Sequence, residues 1–295
     1  MTFFRKREKP TENIAFMGIS AGIVVAISLL STFVPLSSLF VILFLPLVCA
    51  LTTYYCEDKY LPFYIVGTIA VSLITTVYDI SVTLFDVTPA IIIGSFFGFF
   101  LKKNIPNVIS IFFLALLKVG LNYLMILLLK GIYGVDIIET FIKLFKLEDK
   151  TIIYQLVPTL IFAYALIQVG LSFIIISFTT TDLIAIKTNN NLDVFISIVA
   201  LIILGTAFGI GFCLSWLSYL LAAIGIYLSL ASSRNIFRKN PWWFFLILAI
   251  LLIASFYLST FFYDKLDKRV APLLFLTFFA SVSLCSCISS LLFKE

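Results

Sequence analysis

Long apolar stretches separated by short polar breaks run through the whole chain. A stretch of roughly 20 apolar residues can cross the ~30 Å hydrocarbon core of a bilayer as one α-helix. By this criterion the polar breaks divide the sequence into ten predicted spans. We place them at residues 14–34, 39–55, 61–78, 87–101, 105–129, 152–178, two within 193–233, 241–263 and 270–293.

Two of these stretches need a further argument. The first, residues 14–34, is longer than the apolar region of about 7–15 residues in a cleavable signal peptide, so we predict an uncleaved helix. Residues 193–233 form one apolar run, and a single helix of that length would measure about 60 Å, twice the hydrocarbon core. We therefore expect the chain to reverse near residues 205–211, which gives spans seven and eight.

Three other segments are too polar to span. Residues 1–13 form a basic N-terminal segment. Residues 135–148 alternate apolar and charged side chains with a helical period, which predicts an amphipathic helix at the membrane interface. Residues 179–192 form a polar loop between a membrane core at 14–178 and C-terminal membrane helices at 193–295. The predicted fold class is an all-α polytopic helix bundle of about ten spans, with nine as the alternative.

Composition supports a membrane protein and excludes several other classes. Hydrophobic residues make up 62% of the chain and charged residues 12%, against about 45–50% and about 25% in soluble domains. Such a composition excludes a soluble enzyme, a nucleic-acid-binding protein and a disordered tail. The chain has no histidine, and none of its five cysteines forms a CxxC pair. We therefore expect no cofactor, no metal site and no catalytic residue.

The distribution of basic residues predicts the orientation. The cluster Arg5, Lys6, Arg7 and Lys9 predicts a multi-pass protein of the cell membrane with its N-terminus in the cytoplasm. With ten spans, twelve Lys and Arg residues fall on the cytoplasmic side and seven on the outer side, whereas nine spans give eleven and eight. Because this difference is small, the ten-span topology rests on helix length.

Several features of the first half resemble a known family. They are the Thr11-Glu12-Asn13 start, a first helix with small residues, the turn at Pro35, the segment Val87-Thr88-Pro89-Ala90-Ile91-Ile92-Ile93-Gly94-Ser95-Phe96-Phe97-Gly98, and Lys102-Lys103. Over about residues 11–129 the chain resembles the substrate-binding S components of energy-coupling-factor (ECF) transporters, and most of all the YybS-like predicted membrane proteins. Asp264-x-x-Asp267-x-Arg269 is similar to a charged C-terminal signature of the YybS-like proteins.

The resemblance implies a six-helix bundle that holds a small molecule near its outer face. It also implies two kinds of partner, a membrane coupling subunit and separate ATPases that supply energy. In the S-component family, small residues of the first helix face the coupling subunit. Here Gly18, Gly22 and Ala26 form a similar stripe, which lets another helix approach closely in lipid. The alternative is that the stripe packs against another helix of this chain.

Lys118 is the most informative single residue, because it lies near the middle of the fifth span, roughly 18 Å from its start. A charge at the centre of a membrane helix costs about 2.5–3.5 kcal/mol on insertion scales, so Lys118 should face the bundle interior or a wet cavity. Asn122 shares its helix face, and Tyr123 is adjacent. Lys118 is therefore a candidate anchor for an anionic ligand, or a counter-ion in gating, with a purely structural lysine as the alternative.

Four further polar residues are candidates for the same site. Asp79 and Asp86 bracket a short loop that we predict on the outer side, where they either contact a ligand, pair with Lys118 or are solvated. Gln155 and Gln168 lie in the sixth span, 13 residues apart, so they point in different directions. Each amide bonds either a ligand or another helix.

Three functions remain open from the sequence. The first is a transport protein with an S-component-like core that binds an unknown small molecule in the bilayer. The second is a membrane scaffold or regulatory partner that transports nothing. The third, an intramembrane transferase acting on lipid, is the weakest, because the chain lacks histidine and a dense acidic cluster for Mg²⁺.

Overall fold

The computed structural model describes residues 6–33, 38–77, 83–134, 136, 139, 150–179, 190–233, 243–262 and 270–292. This part of the chain is built of helices and contains no β-strand, which confirms the all-α fold class. The α-helices within it are α1 Pro10–Phe33, α2 Ser38–Tyr55, α3 Leu61–Thr75, α4 Thr88–Lys102, α5 Asn107–Tyr133, α6 Lys150–Thr179, α7 Asn190–Ile210, α8 Ser215–Ser232, α9 Trp243–Phe262 and α10 Leu276–Leu292.

The order of the helices follows the apolar stretches of the sequence. Five of the described helices contain segments long and apolar enough to cross a membrane, which agrees with a multi-pass membrane protein. These segments are Pro10–Phe33, Asn107–Ile132, Tyr154–Ile176, Leu192–Ile210 and Ser215–Ser232. Four other helices contain apolar segments of 10–17 residues, namely Val41–Tyr55, Thr88–Lys102, Ala249–Phe262 and Leu273–Ser289. The number of ten spans therefore stays a prediction.

The reversal expected near residues 205–211 lies at the C-terminal limit of that interval. Helix α7 ends at Ile210 and α8 begins at Ser215. Gly211 opens the turn, and a Cβ atom there would come within 2.7 Å of Leu273 Cδ1 and 3.2 Å of Ser218 Oγ. A glycine thus lets the turn pack closely. The predicted interfacial helix at 135–148 lies almost wholly outside the described residues, as do residues 180–189 of the polar loop.

By packing, the chain divides into two compact units. The first consists of Met1–Thr140 and Tyr164–Ile186, and the second of Phe141–Ala163 and Lys187–Glu295. Helix α6 contributes its first part to the second unit and the rest to the first unit. The first unit therefore contains helices α1 to α5 and the second half of α6.

Polar contacts tie four helix ends together at one end of the first unit, which we call the clamped end. The Arg7 amide donates to the Tyr55 carbonyl oxygen at 3.0 Å, and the Glu57 amide donates to Asn13 Oδ1 at 2.9 Å. Lys102 Nζ donates to Asp58 Oδ1 at 2.6 Å. These bonds bring together the start of α1, the end of α2, the segment before α3 and the end of α4.

The second unit is held by serine hydroxyls as well as by apolar packing. Its core contains Leu204 and Ala207 of α7, together with residues of α8 and α10. Ser229 Oγ donates to the Phe279 carbonyl oxygen at 2.7 Å, and Ser286 Oγ donates to the Ser232 carbonyl oxygen at 2.7 Å. Interhelical hydrogen bonds of this kind help to hold helices together in a membrane. Lipid tails are as apolar as the side chains, so apolar burial alone gives little stabilisation there.

Candidate functional site

A small cavity lined by polar and apolar side chains lies in the first unit, between α2, α4, α5 and α6. It brings together three residues that the sequence singled out, namely Asp86, Lys118 and Gln168. The complete lining is Ile42, Pro46, Asp86, Pro89, Ala90, Ile93, Lys118, Gln168, Val169 and Ser172. Two charged groups, an amide and a hydroxyl thus share one lining with apolar side chains.

The cavity is small in this structure. The space that the centre of a water molecule can occupy is about 20 Å³, enough for about one water. Pockets that hold drug-sized ligands usually measure about 300–1,000 Å³. A molecule much larger than water therefore requires the surrounding helices to move.

Lys118 enters the cavity from the buried face of α5. Its neighbours on that face, Leu114 and Ala115, are fully buried, and Lys118 itself is only 7% exposed. It lies eleven residues after the start of α5 at Asn107, which is about 17 Å along the helix. The side chain interacts electrostatically with the carboxylate of Asp86. The expectation that Lys118 faces the interior of the bundle agrees with this placement.

Asp86 lies in a π-helical turn, Thr83–Val87, that leads directly into α4. Pro89 occupies the first turn of α4, where its missing N–H breaks no helical hydrogen bond. The 15 residues of α4 measure about 22 Å, less than the ~30 Å hydrocarbon core. Helix α4 ends at the clamped end, and Asp86 lies just before its opposite end. When the clamped end lies at one membrane surface, α4 is too short to reach the other surface, so Asp86 lies within the hydrocarbon core.

Gln168 supplies the amide group of the cavity. Its Nε2 donates to the Tyr164 hydroxyl at 2.6 Å. Its Oε1 is fully buried and has no hydrogen-bond partner in the described part of the chain, although a buried amide oxygen normally has one. Tyr164 also interacts electrostatically with Asp86. Gln168 therefore lines the cavity and carries an acceptor whose hydrogen-bonding capacity is unused within the described residues.

Pro46 and Ser172 are parts of this site that sequence reasoning missed. Pro46 lies inside α2 and cannot donate to the carbonyl oxygen of Ile42, four residues earlier. Ser172 Oγ of α6 lies 3.3 Å from that carbonyl oxygen and 3.0 Å from the Gln168 carbonyl oxygen of its own helix, so its one hydrogen is shared between them. Pro46 within an apolar stretch could have predicted the missing hydrogen bond in α2. Nothing in the sequence near Ile42 could have predicted that Ser172 of another helix lies beside it.

The remaining predicted ligand residues do not line the cavity. Asn122 and Tyr123 of α5 are half-buried and lie outside its lining. Gln155 belongs to the second unit, where its Oε1 accepts a hydrogen bond from Ser215 Oγ at 2.8 Å. Asp79 lies outside the described residues.

The predicted stripe on α1 is turned outward. Gly18, Gly22 and Ala26 are exposed, and no described atom lies within 4 Å of a Cβ built on either glycine. The packing face of α1 instead carries Ser20, whose Oγ lies 2.5 Å from Thr52 Oγ1 and 3.0 Å from the Tyr64 hydroxyl oxygen. The stripe is therefore not used for packing in the described part of this chain.

A different glycine pair makes a close helix contact. A Cβ on Gly94 would meet the Pro46 carbonyl oxygen and lie 2.6 Å from Pro46 Cα. A Cβ on Gly98 would meet the Ala50 carbonyl oxygen and lie 2.9 Å from Thr53 Cβ. These two glycines let α4 lie directly against the backbone of α2, next to the cavity.

Comparison of this chain with models of protein families, with curated proteins and with solved structures finds no match. Within the described residues, no group of three side chains of the kinds that usually bind metal ions comes together. The case for a function therefore rests on the cavity and on the arrangement of the helices around it.

Proposed function

We propose that this chain is an integral membrane transport protein whose first unit binds a small molecule at the Lys118 cavity. The observation that carries the proposal is the burial of Lys118, at 7% exposure, beside Asp86 and Gln168 inside a membrane-type helix bundle. Ionisable groups at this depth are costly, and they commonly mark a substrate or ion pathway. The ligand-anchor role predicted for Lys118 suits this position.

The finer description is an S-component-like subunit of an energy-coupling-factor type transporter. In support, six helices, α1 to α6, contribute to the first unit, and the resemblance implies a bundle of six. Ten spans in the cell membrane, a cytoplasmic N-terminus, a coupling subunit and separate ATPases belong to this proposal. The clamped end would then be the cytoplasmic end of the unit.

The test of the binding site is the molecule that co-purifies with the protein. Wild-type protein and the Lys118→Met variant would be purified in parallel, and extracted small molecules would be compared by mass spectrometry. We expect a compound that is present with the wild type and at least about tenfold depleted in the variant, because a charge-assisted hydrogen bond is lost. Equal occupancy in the two proteins would refute the role of Lys118 in binding.

Lys130→Met is the matched control for this experiment. Lys130 lies on the same helix as Lys118, but it is exposed and pairs with Asp136 at 3.0 Å, away from the cavity. Its removal deletes a lysine without altering the site. Membrane insertion and thermal stability of both variants would be measured first, so that a loss of ligand is not confused with a loss of folding.

The second candidate function is a scaffold or regulatory protein that binds a membrane partner through α1. The observation that favours it is the exposure of Gly18, Gly22 and Ala26, which leaves a small-residue stripe open to another helix. Gly18→Leu with Gly22→Leu should then abolish co-purification of a membrane partner. Gly120→Leu is the control, because Gly120 on α5 is equally open. An unchanged set of co-purifying proteins would rule this function out.

A further inference from the structure

The cavity presents one positive and one negative side chain to anything that enters it. The ammonium of Lys118 and the carboxylate of Asp86 both belong to its lining, and they interact electrostatically. A purely anionic ligand would gain from Lys118 but would meet Asp86, and a purely cationic ligand would have the reverse difficulty. The charges therefore favour a molecule that carries both signs.

The hydrogen-bonding groups favour the same kind of molecule. Lys118 is a donor only, so its partner must be an acceptor. Gln168 Oε1 and the Asp86 carboxylate are acceptors, so their partner must be a donor. Gln168 is 8% exposed and its Oε1 lacks a partner among the described residues, so a donor from the ligand would satisfy a buried atom.

We propose that the cavity binds a small zwitterion with one carboxylate and one ammonium group, such as a simple amino acid. The carboxylate accepts hydrogen bonds from Lys118, and the ammonium donates to Asp86 and to Gln168 Oε1. This inference rests on the proposed transport function and specifies its substrate class. At about 20 Å³ the cavity has room for a single water molecule, which is both donor and acceptor.

Two features of the wall provide a way for the cavity to widen. Pro46 interrupts the hydrogen-bond ladder of α2, and the Ile42 carbonyl oxygen has only a 3.3 Å share of the Ser172 hydroxyl, which lies closer, at 3.0 Å, to the Gln168 carbonyl oxygen. Asp86 lies in a π-helical turn rather than within α4 itself. A shift of these two segments would leave the regular hydrogen bonds of α4, α5 and α6 intact. Breaks of this kind in membrane helices are typical of substrate sites in transporters.

The experiment compares four probes on the purified full chain at constant ionic strength. The probes are free glycine, β-alanine, acetate and methylamine, and the readout is the shift in the midpoint of thermal unfolding. We expect at least one of the two zwitterions to stabilise the wild type at concentrations at which acetate and methylamine do not. This comparison needs no variant, so it stands even where a substitution prevents folding.

Three variants assign the contacts. Lys118→Met and Asp86→Asn should each weaken binding of the zwitterion by about tenfold or more, because each loses a charged partner. Gln168→Leu keeps both charges and removes the acceptor, so it should weaken binding by a smaller factor. Lys130→Met should leave the affinity unchanged.

The outcomes separate this inference from the proposed function. Stabilisation by acetate alone, abolished by Lys118→Met, would overturn the zwitterion and leave an anion-binding transport protein. Stabilisation by methylamine alone would overturn it in favour of a cation site at Asp86. If no probe stabilises the wild type, the inference fails, while the co-purification experiment with Lys118→Met still decides the proposed function independently.

Discussion

The first unit carries two glycine pairs with the same four-residue spacing, and they lie in opposite surroundings. Gly94 and Gly98 on α4 lie against the backbone of α2, where a Cβ would collide with main-chain atoms of Pro46 and Ala50. Gly18 and Gly22 on α1 face outward, with no described atom within 4 Å of a Cβ. The spacing allows a helix to approach closely, but the packing partner decides whether one does.

The difference between the pairs also bears on function. The α4 pair fixes the contact between α2 and α4, and Pro46 and Pro89 from these helices line the cavity. Among the described residues the α1 pair contributes to no such contact, which leaves it open to another helix. We therefore expect substitutions at the two pairs to fail in different ways, one in folding and the other in association.

The largest effect is expected from filling the α2–α4 contact. Gly94→Ala and Gly98→Ala each place a methyl group against main-chain atoms of α2, so the two helices must move apart. Overpacking of this kind costs about 1–3 kcal/mol and occasionally more. The free energy of unfolding in detergent would be measured for each variant and for Gly120→Ala, where space is open. Stabilities equal to that of Gly120→Ala would show that the contact is not close.

The second effect uses Cys56, which immediately follows α2 at the clamped end, as a reporter of the same contact. Cys56 is buried, and burial raises the pKa of its thiol to about 11. Because the ordinary value is 9.0, the reactive thiolate at neutral pH is about a hundredfold scarcer than for an exposed thiol. Maleimide labelling of Cys56 should thus be slow at neutral pH and rise towards pH 11, whereas the exposed Cys213 reacts readily.

The comparison between the glycine pairs predicts how this labelling changes. Gly98→Ala loosens the end of α2 and should speed labelling of Cys56 by up to the same factor of about a hundred. Gly22→Ala, on the outward face of α1, should leave the rate unchanged. Mass spectrometry of the labelled peptides gives both rates in one sample. Equal rates in the wild type and Gly98→Ala would mean that the α2–α4 contact does not protect Cys56.

The positions of the helices and the inward direction of Lys118 could be predicted from the sequence. Helix positions follow from apolar stretches of about one membrane thickness, because an α-helix satisfies its own backbone in lipid. The inward direction of Lys118 follows from the cost of exposing a charge to lipid. Neither argument uses a contact between helices, so both could be made from local pattern alone.

The parts that could not be predicted all depend on such contacts. The contact between Ser172 Oγ and the Ile42 carbonyl oxygen joins residues 130 positions apart, and the sequence around either residue does not predict it. The two glycine pairs are similar in spacing, and only the position of α2 separates them. Gln155 and Gln168 share one helix, yet the first bonds Ser215 and the second lines the cavity.

A third, smaller effect on stability is expected from Tyr64, whose hydroxyl contacts the packing face of α1. Tyr64→Phe removes the hydroxyl that lies 3.0 Å from Ser20 Oγ and donates to Cys49 Sγ at 3.4 Å. Because hydrogen bonds between membrane helices average about 0.6 kcal/mol and reach about 1.7, we expect a loss of about 1 kcal/mol. Unfolding of Tyr64→Phe and of Tyr257→Phe, an exposed site on α9, would be compared. Equal stabilities would show that these hydroxyls do not hold α1 in place.

The smallest effect on stability is expected at the outward pair itself. Gly18→Ala and Gly22→Ala add methyl groups to open space, and alanine is favoured over glycine in a helix by up to about 1 kcal/mol. The isolated protein should therefore be unchanged or slightly more stable, in contrast to Gly94→Ala. The association of the variant protein with any partner that packs on α1 should weaken, because two helices approach most closely where glycine has no side chain between them. A marked loss of stability in the isolated protein would mean that another part of this chain covers the stripe. The two glycine pairs would then both lie at helix contacts, and the contrast drawn between them would be wrong.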